Sequence, residues 1–376
     1  MIKVNHKNRR IAIIDPVGIK AGMNDYDTAL CNCLCLSGFT VDVYSNFNHD
    51  STTANFLNTF KNSKSGKMFS GFRIIAGYVK ALFRCKKPQS DFLIFHLFDV
   101  GLLDLFGIGL GKFFGFRIIL IIHDVENIDA KHLRWTRKLI LKNLNYKKIV
   151  HNNFSFNALS ELLSGSGMKN VFIVPHVNFV HLNKATNQTA PKELLRAAEK
   201  KYVLCFGQFK RTKGIDILIQ AAVHCKTDFN IVLAGKPRDI SANEIEKLIA
   251  DSSADNKIIR IVRHISDEER NYLFRKASVV VLPYKKVYES GVLITAMSFA
   301  KPVIASDIPP FREMIQHGVN GIMFRSENKN SLTDELDAFF SGKYDEKKIG
   351  ESAIQYMESR HSASQIASAF SVLLNA

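Results

Sequence analysis

Lys210, Arg211 and Lys213 place three cations within four positions, just behind Gly207 at the end of an apolar run, Tyr202–Phe206. A glycine lets the backbone turn closely beneath a ligand, and cations gathered there can neutralise a diphosphate. The order does not fit the phosphate loop G-x-x-x-x-G-K-[ST], and an exposed basic turn would have the same composition. Further along, the run Val279–Leu282 ends at Pro283, and Ser290-Gly291 opens a helix-like segment that leads to a second apolar run, Pro302–Ala305. A helix starting there would offer unpaired N–H groups and a positive dipole end to an anion. An ordinary crossover with no ligand has the same order of elements. In the first half, His123 closes the apolar run Ile118–Ile122 beside Asp124, where it could meet a substrate or cap the strand. Gly18 and Gly22 form a small glycine loop after Ile11–Ile14. The Asp-x-Asp triplet Asp25-Tyr26-Asp27 falls at a helix start, where acids suit the dipole better than they suit a metal.

These residues need a frame, and the apolar runs supply one. Residues 11–14, 40–44, 92–95, 118–122, 148–150 and 171–174 read as strands in the first half. Residues 202–206, 229–233, 258–262, 279–282, 302–305 and 322–324 do so in the second, with helix-like stretches between them. Repeated strand-then-helix units predict parallel sheets covered on both faces, with ligands at the carboxyl ends of the strands. Strand periodicity is lost between Asn178 and Lys201, which places a linker near 180–198. At 376 residues the chain exceeds what one core serves. The expected architecture is α/β, two Rossmann-like doubly wound domains facing a cleft, over 1–185 and 186–360. Residues 361–376 form a C-terminal helix expected to pack back on the first domain.

Hydrophobic content of 46% with 23% charge is ordinary for a folded chain. The stretch Val100–Ile122 is interrupted by Asp104, Lys112 and Arg117 and does not read as a membrane span, and no signal-peptide core follows the first charges. These features predict a cytoplasmic protein. Cys31, Cys33, Cys35, Cys85, Cys205 and Cys225 show no C-x-x-C pairing. Residues 1–190 hold 24 Lys and Arg against 12 Asp and Glu, or +12, whereas the rest hold 27 against 23, or +4. The excess collects in Lys61–Lys67, Arg84–Lys87 and Lys131–Lys148, interleaved with Phe69, Phe72, Tyr78, Phe83 and Trp135. Such segments suit an anionic membrane surface or a phosphorylated substrate; a solvated basic face is the plainer reading. No nucleic-acid-binding signature accompanies the charge, so nucleic acid is not an expected partner.

Taken together, Gly207 with Lys210 and Lys213, Leu233-Ala234-Gly235, Ser290-Gly291-Val292-Leu293, Lys301–Ala305, Asp307, Glu313 and Gly318–Gly321 resemble the donor domain of retaining GT-B glycosyltransferases of the group 1 type. The first half fits through its strand and glycine loop at 11–36, His123-Asp124, and Ile173–His176. The resemblance implies transfer of a hexose, with retention, from a nucleotide diphosphate sugar to a lipid-linked or polysaccharide acceptor. The setting would be cell-surface glycan synthesis, peripheral on the inner face of the membrane. It implies catalytic roles for His123, Lys210 and Lys213, and donor binding by Gly18, Gly22, Gly207, Glu289, Ser290, Gly291, Val292 and Thr295. No cofactor is expected, nor a required metal, because protein cations would neutralise the leaving diphosphate. Two departures stand out. Gln208 and Phe209 occupy the place of the family's arginine, for which Lys210 substitutes. The usual glutamate pair is broken: eight residues after Glu289 stands Met297, and alignment on Thr295-Ala296-Met297 puts Val287 and Thr295 in the glutamate positions. That pattern resembles a subgroup in which an S-G-V-L loop replaces the pair. Two rivals remain: a catalytically silent, membrane-associated binding subunit, and a sugar-nucleotide epimerase on the same fold.

Overall fold

A computed structural model describes residues 9–19, 22–49, 54–60, 67–86, 90–98, 100–126, 134–163, 165–184, 186–194, 200–252 and 254–375. Residues 61–66, Lys87 and 131–133 of the basic segments lie outside this set. The chain divides into two compact units, Met1–Val177 with His361–Ala376, and Asn178–Arg360. The division thus falls just ahead of the polar stretch 180–198.

The first unit is built on a seven-stranded sheet. Its strands are β1 (Arg10–Ile14), β2 (Thr40–Ser45), β3 (Asn55–Asn58), β4 (Phe92–Leu97), β5 (Arg117–Ile122), β6 (Lys147–Val150) and β7 (Val171–Ile173). They run parallel in the order β3-β2-β1-β4-β5-β6-β7. Helices α1 (Met23–Leu36), α2 (Lys67–Cys85), α3 (Leu102–Phe113), α4 (Arg134–Leu141) and α5 (Asn153–Leu163) connect them. The central strands are continuous apolar runs because helices cover both faces: every residue of β4 is buried, as is all of β5 after Arg117. The edge strand β3 was not expected, since its four residues are half-exposed or exposed and Asn-Phe-Leu-Asn carries no apolar run.

In the second unit, α6 (Val180–Lys184) precedes β8 (Tyr202–Phe206), α7 (Ile215–His224), β9 (Asn230–Ala234), α8 (Ala242–Ala250), β10 (Ile258–Ile261) and α9 (Asp267–Lys276). Then come β11 (Val279–Leu282), α10 (Gly291–Ser298), β12 (Val303–Ser306), α11 (Pro309–Arg312), β13 (Ile322–Phe324), α12 (Lys329–Phe340) and α13 (Glu346–Arg360). The six strands are parallel in the order β10-β9-β8-β11-β12-β13. Phe229, Ile231 and Leu233 pack with Leu218 and Ala222 of α7 and with Leu332 and Leu336 of α12. Burying side chains of this size contributes about 1.5–3 kcal/mol each, which fixes the frame from which the loops project. The last helix, α14 (Ala363–Asn375), returns to the first unit and lies against α1, where Lys147 Nζ donates to Leu373 O at 2.6 Å.

Strand order reverses between β1 and β4 in one sheet and between β8 and β11 in the other. Ligands of such sheets bind at the carboxyl ends beside that reversal. The residues that follow those strand ends are Asp15–Gly18 and Phe98 in the first unit, and Gly207 and Pro283 in the second.

Candidate active site

In the second unit the two chemistry-bearing segments are locked together by backbone. Gly207 turns with φ +111°, and a Cβ there would come 3.3 Å from Val292 Cγ2. Gly235 packs directly beneath it, since a Cβ on Gly235 would lie 1.8 Å from Gly207 O. Gly214, at φ +64°, stands so close to the other segment that a Cβ would meet Pro283 O at 1.9 Å. Lys285 N donates to Thr212 O at 2.8 Å, and Lys285 Nζ pairs with Asp216 at 2.9 Å. The basic turn and the loop entering α10 therefore move as one piece.

Side chains extend the link. Lys213 Nζ lies 2.5 Å from the Tyr284 hydroxyl and 3.8 Å from its ring centroid, a hydrogen bond with a cation–π contact. Burial holds the Tyr284 phenol far above its ordinary range, so it stays neutral. Its hydroxyl also hydrogen-bonds the Ser290 side chain. Ser290 caps α10, its hydroxyl accepting from Leu293 N at 3.2 Å. Such a cap contributes about 1 kcal/mol and fixes where the helix begins. The leading amides of Gly291 and Val292 belong to the set that no helix satisfies internally. Sequence reasoning missed Tyr284, although its place after Pro283 at the end of β11 marked it.

The other predicted residues divide. Arg211 is committed to Glu244, and its amide donates to Asp239 at 2.7 Å, so the three cations do not form one patch. Lys210 is half-buried at the head of the turn, and its carbonyl accepts from Lys213 N at 2.9 Å. Glu289 is half-buried and close enough to Tyr356 of α13 to raise that phenol, after the larger effect of burial. Thr295 is buried, and its hydroxyl donates to Gly291 O at 2.7 Å inside the helix.

The first unit gathers more than the sequence suggested. Asp15 is fully buried and accepts from Val17 N and Gly18 N at 2.8 Å each. Gly18, at φ +54°, is required there, because a Cβ would lie 2.1 Å from Asn46 Oδ1. Asn46 Oδ1 accepts from Ile19 N at 3.0 Å, so the amides of Val17, Gly18 and Ile19 are all engaged by side chains of the protein. Gly22 turns at φ +75° as the residue before α1. Helix α1 points Tyr26 and Asp27 into the interior. Asp27 is not a solvated helix-start acid but is wholly buried.

Around Tyr26 stand His96, His123, His151 and His176, with ring centroids 4.8 to 5.8 Å away. His123 is buried, stacked on Phe98 at 4.4 Å and 5°. Its Nε2 lies 3.0 Å from His96 Nδ1, and His96 Nε2 lies 3.0 Å from Asp27 Oδ1. His151 Nδ1 donates to Val174 O at 2.8 Å, which leaves its Nε2 to accept from the Tyr26 hydroxyl at 3.2 Å. His361 reaches the same region, its Nδ1 donating to His176 O at 2.8 Å. Burial pushes His96 and His151 down to about 4 and holds His123 and His176 well below their ordinary value, so these imidazoles are neutral. Burial pushes Asp15 and Asp27 up to about 7, with the neighbouring Asp27 charge adding to the rise at Asp15. No group of three or more His, Cys, Asp or Glu side chains suited to a metal ion occurs among the described residues.

Two doubly wound parallel sheets in this order define the GT-B glycosyltransferase fold. Residues 186–356 match the family described as glycosyl transferases group 1. An uncharacterised glycosyltransferase of Methanocaldococcus jannaschii is 26% identical over 44% of this chain and 46% of its own length. The lipopolysaccharide core biosynthesis mannosyltransferase LpsB of Rhizobium meliloti is 24% identical over 40% of this chain and 44% of its own. The match thus spans just under half the length of these curated relatives. The solved structure of Anabaena HepE in complex with UDP-glucose superposes with a TM-score of 0.72 at 15% identity, covering 98% of this chain and 100% of that one.

Proposed function

We propose that this protein is a retaining glycosyltransferase that moves a hexose from a nucleotide diphosphate sugar to a lipid-linked or polysaccharide acceptor in cell-surface glycan synthesis. The observation that carries the reading is the clamp of the second unit, in which Lys213, Tyr284 and Ser290 join the basic turn after β8 to the N-terminus of α10. Cations and a helix dipole held on one rigid support form a ready anion site. The diphosphate that departs as the glycosidic bond breaks gains negative charge at the bridging oxygen. Lys210, Lys213 and the Gly291 and Val292 amides stabilise it there without reorganising, which makes this the principal catalytic effect. His123 supplies a neutral imidazole that hydrogen-bonds a hydroxyl of the transferred sugar. The relatives support the substrate class: LpsB is named a mannosyltransferase and HepE was solved with UDP-glucose.

The acceptor side is proposed to meet an anionic membrane at the cytoplasmic face. Phe72 and Phe83 of α2, Phe113 of α3, and Trp135 and Leu139 of α4 are exposed, among Arg73, Lys80, Arg84, Lys138 and Lys142. No helix among the described residues is long and apolar enough to cross a membrane. Cations and exposed aromatics together suit a headgroup layer, each cation contributing about 1 kcal/mol at an anionic surface. Flotation with anionic vesicles is expected and should fade with salt; equal binding to neutral vesicles would remove this part.

The test of the whole is donor binding and hydrolysis across UDP-, GDP-, dTDP- and ADP-sugars, glucose and mannose first, comparing the natural chain with Lys213→Ala. One saturable donor, lost in the variant, is the expected result. Failure of every donor to bind sinks the transferase reading.

A further inference from the structure

The buried groups of the first unit have an order that begins at the glycine turn. Asp15 receives two fixed backbone N–H donors, from Val17 and Gly18, and such donors favour a carboxylate. Asp27 lies beside it, sealed from solvent, and neither of its oxygens has a fixed hydrogen-bond donor among the described residues. Two adjacent buried carboxyls cannot both ionise at low cost. The proton therefore belongs to Asp27, whose hydroxyl can donate to Asp15 and leave its other oxygen as an acceptor. His96 Nε2 is 3.0 Å from Asp27 Oδ1. Neither atom has a hydrogen-bond partner among the described residues, and burial demands one, which this short approach can supply. A neutral His96 protonated on Nε2 has its lone pair on Nδ1, the atom 3.0 Å from His123 Nε2. His123 must then carry its own proton on Nε2, and its stacking on Phe98 restrains the ring.

We propose that Asp15, Asp27 and His96 are positioning residues: a buried, one-way hydrogen-bond chain that holds His123 in the Nε2–H tautomer, with Nδ1 as its acceptor. Every donor in the chain points inward, from His123 to His96, to Asp27, to Asp15. The negative charge rests where the glycine-turn amides hold it. For the reaction, which rests on the proposed role of His123 toward the sugar, the chain makes that histidine an acceptor of a sugar hydroxyl rather than a donor to it. It also ties the conformation of the Val17-Gly18 turn to the hydrogen-bonding character of His123.

The test reads the tautomer itself, without donor or acceptor. With the histidine rings labelled with ¹⁵N, two-bond proton–nitrogen spectra at neutral pH report which ring nitrogen is protonated, and His123→Gln assigns the signal. The natural chain should show His123 protonated on Nε2. Asp27→Asn should keep that state, because a neutral amide can donate to Asp15 and accept from His96 as protonated Asp27 does. Asp27→Leu removes the acceptor and should give His123 a mixture of both tautomers. Tyr26→Phe touches the same rings outside the chain and should leave His123 unchanged. An Nδ1–H tautomer in the natural chain overturns the proposal, as does a folded Asp27→Leu protein with His123 still wholly Nε2–H. If Asp27→Leu does not fold, the natural chain and Asp27→Asn decide. Absence of donor binding with the expected spectrum would remove the transferase reading and leave the chain standing.

Discussion

Mild acid should weaken the first unit well before it touches ordinary carboxylates, and the size of the effect follows from its buried groups. The sign differs between the two kinds. Each buried histidine stays neutral in the fold and takes up a proton on unfolding once pH drops below the ordinary value of 6.5. Its contribution is complete above that value and is lost as pH falls toward 4. Asp15 and Asp27 behave oppositely, because their raised values make the fold take up protons at a pH where the unfolded chain is still ionised; their contribution grows as pH falls from about 7 toward 3.8. At about pH 5 the linkage relation sets a loss of about 2 kcal/mol for a histidine that stays neutral in the fold, a ceiling fixed by the unfolded value of 6.5, so His96, His123, His151 and His176 together lose up to about 8. The two carboxyls return about 2.5 kcal/mol each, about 5 in all. His361, also held down by burial, adds to the loss. A net destabilisation of about 3 kcal/mol or more remains between about pH 7.5 and about pH 5. Trp135 is the chain's only tryptophan and lies in this unit, so its fluorescence in urea reports the unit selectively. With a urea dependence of about 2 kcal/mol per molar, the midpoint should fall by about 1.5 M. A midpoint that holds or rises at the lower pH would refute the reasoning, since it would mean that the histidines are not neutral in the fold.

Two further outcomes test the second unit. Tyr284→Phe removes the hydroxyl that joins Lys213 to Ser290; losing one hydrogen bond to a charged group costs about 1.5–3 kcal/mol, so donor affinity should fall roughly tenfold or more in titration calorimetry. An unchanged affinity would show that the clamp does not orient Lys213 toward the donor. Gly235→Ala drives a Cβ against Gly207 O and should lower stability by several kcal/mol, whereas Gly22→Ala, with open space around it, should cost only about 1 kcal/mol for its left-handed backbone. Thermal melts of the two variants that shift equally would contradict the packing of Gly207 on Gly235.

The pair of loops proposed as the donor side was legible because its chemistry is local. A glycine, two lysines and a serine–glycine helix start each lie within one loop, and parallel-sheet topology brings the ends of β8 and β11 together. Tyr284 escaped notice only because an aromatic after a strand is commonly core; its link from Lys213 to Ser290 is a tertiary fact. The histidine cluster had a signal of a different kind. His96, His123, His151 and His176 recur 27, 28 and 25 residues apart, at or just past the ends of four successive strands. Consecutive parallel strands each separated by one helix must place such residues along one sheet edge. Taken singly, each histidine reads as a strand cap; taken as a period of one strand-helix unit, they predict a cluster. What no spacing reveals is the direction in which that cluster is polarised. That depends on Asp15 at the end of β1 and Asp27 one turn into α1, with the turn after Asp15 held by Gly18 N on Asp15 and Ile19 N on Asn46. The proton on Asp27, and with it the acceptor nitrogen of His123, is set by a backbone turn remote from it in sequence. A substitution at Gly18 should therefore alter the histidine as well as the loop.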